Sequence, residues 1–287
     1  MIELFLNEKS LDGQFSSIEE FSEQGVIGLI AVLEDQKRLS EPSVLYKSES
    51  LTEAKVTPTA TYTEVVFDPE NRIHDGIRRY KTHLITLLDN PYWTSDSKQN
   101  PSDKYTDIDG KTLNGTTIAE AESRNGILVS FAHPDYMTED LLIKKNEEEV
   151  NVHNVWKEIQ LIDASYKKAI IKFKEYVELK FEGQKLDFSK ATMAKVWDVI
   201  PADVETLLYE AFETFCQRSW IEIPRDKGLG YKPYNKNRMN SHFFTVDEWK
   251  KGIMEFRFSG KYRCFGYVDG PKFYLLMVDL GHVLGDK

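Results

Sequence analysis

The C-terminal stretch, residues 253–287, constrains the fold more than any other part of the chain. Met254, Phe256 and Phe258 alternate with Glu255 and Arg257. Ser259-Gly260 then marks a turn, residues 262–268 form a second run, Asp269-Gly270-Pro271 a second turn, and residues 272–279 a third run. Apolar alternation between turn residues is the pattern of antiparallel strands joined as a meander. Successive side chains of a strand point to opposite faces, which sets Glu255 and Arg257 against the three apolar residues. The pattern therefore predicts a sheet with one core face and one polar face.

The chain has 287 residues, 41% of them hydrophobic and 12% aromatic. That suffices for one large or two ordinary domains with a real core and excludes a disordered composition. No apolar run reaches the roughly twenty residues of a membrane-spanning helix, and residues 1–6 lack the basic flank and long apolar segment of a leader. The expected setting is cytoplasmic, with no membrane partner. Cys216 and Cys264 lie in apolar patterns and are too few for a disulfide framework or a zinc site. Net charge is −10, but residues 217–287 carry 13 Lys and Arg against 8 Asp and Glu, leaving 24 against 39 in residues 1–216. An acidic body disfavours a long wrap of nucleic acid. The basic end is still able to hold a short stretch of phosphates or an acidic surface.

Along the chain, residues 2–6 read as a short buried strand followed by a turn at Leu11-Asp12-Gly13. Ser17 and Glu20 have capping-box spacing, and Ile18, Phe21, Leu29, Ile30 and Leu33 share a helical face interrupted by Gly25 and Gly28, which predicts a broken or imperfect helix. Segments 43–47 and 56–67, rich in Val, Thr and Tyr, read as extended. Ile77, Tyr80, Leu84, Leu87 and Leu88 give a clean helical stripe over 75–88, stopped by Asn90-Pro91. Residues 94–115 are polar and aperiodic, the pattern of a functional or a mobile loop. Thr117 with Glu120 reads as the cap of a short helix ending at Gly126. Residues 127–132 read as a buried strand, 147–149 as a solvated acidic turn, and 150–155 as another strand. Tyr166, Ile170, Phe173 and Val177 line one face of a helical segment opened by Asp163. After Pro201, Val204, Leu207, Leu208, Ala211, Phe212 and Phe215 recur at helical spacing.

Two constellations carry chemistry. Residues 225–240, RDKGLGYKPYNKNRMN, set Arg225, Lys227, Lys232, Lys236 and Arg238 against Asp226 alone and interleave Tyr231 and Tyr234. Cations release counterions condensed on phosphates while aromatic rings stack on unpaired bases, so these residues, with Lys261, are the candidate nucleic-acid contacts. The same composition describes a flexible connector turned by Gly228, Gly230 and Pro233. Within the meander, Arg257, Arg263, Tyr267 and His282 are the residue types with which a metal-independent ribonuclease holds a scissile phosphate and moves a proton. Sheet-face residues without a catalytic role are the competing reading.

The run FRFSGKYRCFGYVDGPKFYLLMVD, residues 256–279, resembles the C-terminal hairpin of the RelE/HigB-like toxin fold, in which a strand carrying an arginine pairs with one reading Phe-Tyr-Leu-Leu. The resemblance implies an endoribonuclease. It departs from that family in being long and acidic where those toxins are small and basic. The first 155 residues, with Leu11-Asp12-Gly13-Gln14-Phe15 after the first strand, resemble uncharacterised bacterial proteins associated with phage defence. That likeness implies a defence component and supplies no catalytic positions.

Other chemistries fail on spacing. His74, His83, His133, His153, His242 and His282 form no paired metal motif, and no metal or cofactor is implied. Asp135 with Glu178 and Lys180 imitates a metal-dependent nuclease, but Glu178 and Lys180 fall at a helix end. Asp279 and His282 read as the end of the last strand. Phosphate-loop, dinucleotide and nucleophile-elbow motifs are absent, which argues against an ATPase, a dinucleotide enzyme or an α/β-hydrolase. The expected fold is α+β, with a mixed N-terminal region over 1–155 and a helical segment plus three-stranded antiparallel meander over 156–287. The expected function is engagement of RNA, another single-stranded nucleic acid or a partner protein through the basic C-terminal region, within a bacterial defence or toxin-like system. Endoribonuclease activity is the alternative.

Overall fold

A computed structural model describes residues 1–68, 75–191, 200–235, 242–281 and 284. The fold is α+β, and the chain divides into two compact units, residues 1–171 and 172–287.

The first unit is built on a sheet of β1 (Ile2–Asn7), β2 (Ser43–Tyr46), β3 (Tyr105–Thr106), β4 (Ile127–Ser130), β5 (Asp140–Lys145) and β6 (Glu148–Val155), in the order β2-β1-β4-β6-β5-β3. β2, β1, β4 and β6 run parallel, whereas β5 and β3 continue the sheet antiparallel. β1 and β4 are buried along nearly their whole length, as their unbroken apolar runs require of parallel strands covered on both faces. One face packs Phe5, Leu128, Ile143 and Val152 beneath α5 (Thr117–Ser123), with Ile118 and Ala119 in the same cluster. On the other lie α1 (Ile18–Glu20), a π-helical turn (Phe21–Val26) and α2 (Ile27–Arg38), which pass into one another. Here Phe21 stands 5.7 Å from Phe131.

The interrupted helix expected around Gly25 and Gly28 is this π-turn. A Cβ on Gly25 would stand 2.8 Å from the Phe15 ring, and one on Gly28 would stand 2.4 Å from the carbonyl oxygen of Trp156, so both glycines permit an approach no larger residue allows. α4 (Asp75–Asp89) forms where its stripe predicts, with Leu84 and Leu87 buried. Residues 62–67, by contrast, form α3 (Tyr62–Phe67) and not a strand. Thr61 and Glu64 close a reciprocal capping box there, which overrides the extended preference of Tyr, Thr and Val. The cap of α5 is Thr116, which frees Thr117 for a buried contact described below. Residues 94–115 are tied down: Glu120 accepts from the Ser97 hydroxyl at 2.7 Å and Lys98 N–H at 2.9 Å, and Tyr105 is fully buried. Glu148 and Glu149 belong to β6, and the hairpin from β5 turns on Asn146 and Glu147, both at positive φ.

The unit boundary falls beyond the expected 155/156 because α6 (Gln160–Lys167) packs on α2 and β6. The single stripe predicted from Asp163 onward is two helices, α6 and α7 (Phe173–Lys180), separated at Ala169, whose φ of 54° ends the first.

The second unit holds α7, β7 (Leu186–Asp187), α8 (Ala202–Gln217), β8 (Lys232–Pro233), α9 (Val246–Lys251) and the meander β9 (Met254–Arg257), β10 (Arg263–Asp269) and β11 (Lys272–Asp279). Its sheet order is β7-β11-β10-β9-β8, so the meander gains a strand at each edge. Phe212 and Phe215 of α8 interlock with Phe256 and Phe273 on one face, with Phe215 and Phe256 centroids 4.8 Å apart. The opposite face, expected to be polar, is largely apolar and covered. Phe265, Tyr267 and Met277 are covered there by Ile253, Phe244 and Leu284, with Tyr234 and Trp249 packed alongside, and Glu255 is only 3% exposed.

Candidate functional site

The residues singled out by type in the second unit are consumed largely by packing and pairing. Tyr231 lies against Phe215 and Phe273 at 6.0 and 6.3 Å, and burial pushes its hydroxyl up to about 12. Tyr234 packs on Phe265 at 4.8 Å and donates its hydroxyl to the Leu284 carbonyl at 3.0 Å. Neither ring is set out as a platform for a base. Asp226, the one acid among the cations, accepts from Gly228 and Leu229 N–H and pairs with Arg218 at 3.2 Å, and these contacts hold its carboxyl below the usual range. Arg225, Lys227, Lys232 and Lys261 are exposed. Lys232 nonetheless pairs with Glu255 at 3.3 Å, and Lys261 stands 4.7 Å over the Tyr262 ring.

Among the catalytic candidates, Arg257 and Arg263 face each other across β9 and β10. Such like charges repel. Buried Glu255 offsets them at 3.5 Å from Arg263 Nε, and Asp279 lies opposite Arg263 in register on β11. Asp279 also accepts from Gly281 and Leu284 N–H, which makes it the terminator expected of the last strand. Arg257 packs against Gly230, and its Nε has no hydrogen-bond partner among the described residues. Tyr267 is 4% exposed and stacks on Tyr274 at 5.2 Å, with Lys251 over its ring at 4.3 Å. Lys236, Arg238 and His282 lie outside the described residues. Glu178 and Lys180 are on helix α7, where Glu178 pairs with Lys174 at 3.2 Å. Among the described residues no group of three His, Cys, Asp or Glu is arranged to hold a metal, and no helix is long and apolar enough to cross a membrane.

A different assembly stands at the carboxyl edge of the parallel strands in the first unit. Asn7 Nδ2 donates to Ser130 Oγ at 2.9 Å, Ser130 Oγ donates to Asn154 Oδ1 at 2.7 Å, and Asn154 Nδ2 donates to the carbonyls of Tyr136 and Thr138 at 2.5 and 3.0 Å. Ser10 Oγ donates to the Asn7 carbonyl at 2.6 Å and accepts from Phe131 N–H at 2.9 Å. Gln14 Nε2 reaches Ser10 O at 2.6 Å. Asn7, Ser10, Ser130 and Asn154 are buried, and burial makes each unmade bond costly, so the network ties the ends of β1, β4 and β6 to one another and to the loops after β1 and β4.

Titratable groups cluster on the same edge. Glu8, 6% exposed, accepts a short hydrogen bond from Thr117 Oγ1, which in turn accepts from Trp93 Nε1 at 2.9 Å; burial outweighs these bonds and pushes the Glu8 carboxyl up. His133 Nδ1 accepts from Asp135 N–H at 3.0 Å, which places the ring proton on Nε2, 3.1 Å from Asp12. The Tyr136 ring lies 5.3 Å from His133, and burial followed by the charges of Asp135, Glu8, Asp12 and Asp107 pushes its hydroxyl up to about 12.

Between these loops and the π-turn opens a cleft of about 430 Å³, walled by Gln14 and Phe15 after β1, Ala132, Pro134 and Met137 after β4, Trp156 and Lys157 after β6, and Glu20, Gln24 and Gly28 on the helices. None of these side chains was a candidate by type. The legible signal was a polar residue closing each buried run: Asn7 after Leu6, Ser130 after Val129, and Asn154 within Val152–Val155.

The fold and the cleft define an α+β protein whose first unit is an open, mainly parallel sheet with a cleft at the carboxyl edge of its parallel strands. Comparison with family models, curated proteins and solved structures returned no match.

Proposed function

We propose that residues 1–171 form a small-ligand-binding unit whose site is the cleft at the carboxyl edge of the parallel strands. One observation carries the reading: the cleft coincides with the point where the strand order reverses. β1 leads through α2 to β2 on one side, and the chain returns to place β4 on the other. In open sheets with parallel strands the loops diverge at that point, and the crevice between them is where ligands bind. The π-turn bordering the cleft is a second mark, since such turns concentrate at functional sites.

Ligand-observed NMR of a general fragment library, run on the full chain and on Ala132→Leu, tests the proposal. Fragments should bind the native protein and lose most of their signal in the variant, with the melting temperature of both proteins recorded. Equal binding to both, or none to the native chain, removes the reading.

A second reading applies to residues 172–287. With Asp226 turned inward as a cap, Arg225 and Lys227 are left exposed, which supports contact with phosphates of RNA or single-stranded DNA. Because Tyr231 and Tyr234 are packed, this contact is electrostatic only, and a ribonuclease role for Arg257, Arg263 and Tyr267 draws no support from their surroundings.

A further inference from the structure

The cleft wall is chemically uneven, and the unevenness narrows what fits it. Phe15 and Trp156, both buried, make up an apolar part of the wall, and Met137, 54% exposed, adds an apolar rim. Polar groups stand on the helical side. Glu20 Oε2 is held by Ser16 N–H at 2.7 Å and Ser16 Oγ at 2.5 Å, bonds that keep the carboxyl below its usual range and leave Oε1 as an acceptor. Gln24 is exposed on the π-turn and offers both amide donors and an acceptor. Gln14 has no such freedom, since its amide already bonds Asp12 N–H, Ser10 O and Ala132 O.

Charge sets a further limit. Among the described lining residues Glu20 is the single anion and Lys157 the single cation, and Lys157 lies 5.5 Å over the Trp156 ring. Residues 1–171 as a whole carry 18 Lys and Arg against 30 Asp and Glu. A phosphate entering the cleft would meet one ammonium within a field of the opposite preference. An apolar wall and rim favour an apolar ring, and a carboxylate acceptor and an amide on the same lining favour a ring edge bearing both N–H donors and ring-nitrogen acceptors. The volume of about 430 Å³ falls among small-ligand pockets.

We infer, building on the ligand-cleft reading, that the cleft takes an uncharged nitrogen heterocycle of nucleobase or nucleoside type. The ring lies against the apolar wall that Phe15, Met137 and Trp156 line, and its edge is read by Glu20 and Gln24.

Adenosine, guanosine, cytidine and uridine, each beside its 5′-monophosphate, are titrated against the full chain by ligand-observed NMR. At least one nucleoside should bind, and its monophosphate should bind about threefold or more weakly because of the acidic surroundings. Gln24→Ala, at an exposed position, should lower nucleoside affinity by about two- to tenfold, the worth of one or two hydrogen bonds. Absence of nucleoside binding while fragments still occupy the cleft would overturn the inference and leave the ligand-cleft reading in place. Tighter binding of the monophosphate, or unchanged affinity in Gln24→Ala, overturns it as well. Loss of fragment and nucleoside binding together would remove both.

Discussion

Polar side chains meet opposite ends in the two units. At the carboxyl edge of the first sheet, Asn7, Ser130 and Asn154 bond one another in a buried chain that ties three strand ends together beneath a cleft. In the meander, Arg263 and Glu255 neutralise each other, while Tyr231 and Tyr267 are absorbed into aromatic packing. Topology is the difference. Parallel strands end side by side, so their closing residues converge from stretches far apart in the chain, and the loops beyond them must diverge. A meander returns on itself by tight turns, and among the described residues both its faces here are covered by packed side chains.

The contrast is sharpened most by Asn154→Ala. That change removes two donors to the Tyr136 and Thr138 carbonyls and strands the Ser130 hydroxyl in a buried site, at a cost of about 2–4 kcal/mol. Urea denaturation followed by the chain's tryptophan fluorescence, in which Trp93 and Trp156 report on the first unit, measures it. A loss below about 0.5 kcal/mol, the level of an ordinary surface change, would mean that the polar chain is not what holds the edge together.

Glu8 gives the next largest effect and one with a sign in pH. Its carboxyl is raised by burial, so its protonated form suits the folded state. That contribution is complete below the unfolded value of about 4.5 and is lost as pH rises through the higher folded value. Glu8→Gln keeps an acceptor for the Thr117 hydroxyl and carries no charge. Its stability relative to the native chain should therefore rise between pH 4 and neutrality, read from denaturation midpoints across that range. A constant difference would show that Glu8 ionises in the fold as freely as in the unfolded chain.

Much of this scaffold was legible because apolar patterning reports burial. The buried runs of β1 and β4, the alternation of β9, β10 and β11, and the glycine-interrupted helix all follow from it. α3 was hidden because Tyr62, Val65 and Val66 favour extended chain, although the Thr61 and Glu64 spacing held the decisive signal. β5 was hidden because it has a single buried residue, Ile143, followed by Lys144 and Lys145, and its hairpin turns on Asn146-Glu147 without a glycine. The cleft was hidden for another reason. Gln14, Ala132, Gln24 and Trp156 carry no motif, and only the pairing of β1 with β4 and of β4 with β6 brings their loops together. The cations of 225–240 drew notice by type, yet type says nothing of whether Glu255 stands 3.3 Å from Lys232.

The smallest expected effect on stability tests the other side of the contrast. Arg225, Lys227 and Lys261 are exposed, so Arg225→Ala/Lys227→Ala/Lys261→Ala should change unfolding free energy by no more than about 0.5 kcal/mol per site. Its effect on binding should be larger. If the proposed electrostatic contact holds, single-stranded RNA would be bound by its phosphates alone, and three cations would give a slope of log K against log salt of about −2. Binding of a uridine and an adenosine oligonucleotide, measured by fluorescence anisotropy between low and physiological salt, should be equal within error and should fall to background in the triple variant. A preference between the two oligomers, or affinity that survives physiological salt, would require aromatic stacking. Tyr231 and Tyr234 would then have to leave Phe273 and Phe265, and the packed face of the meander would have to be a second site after all.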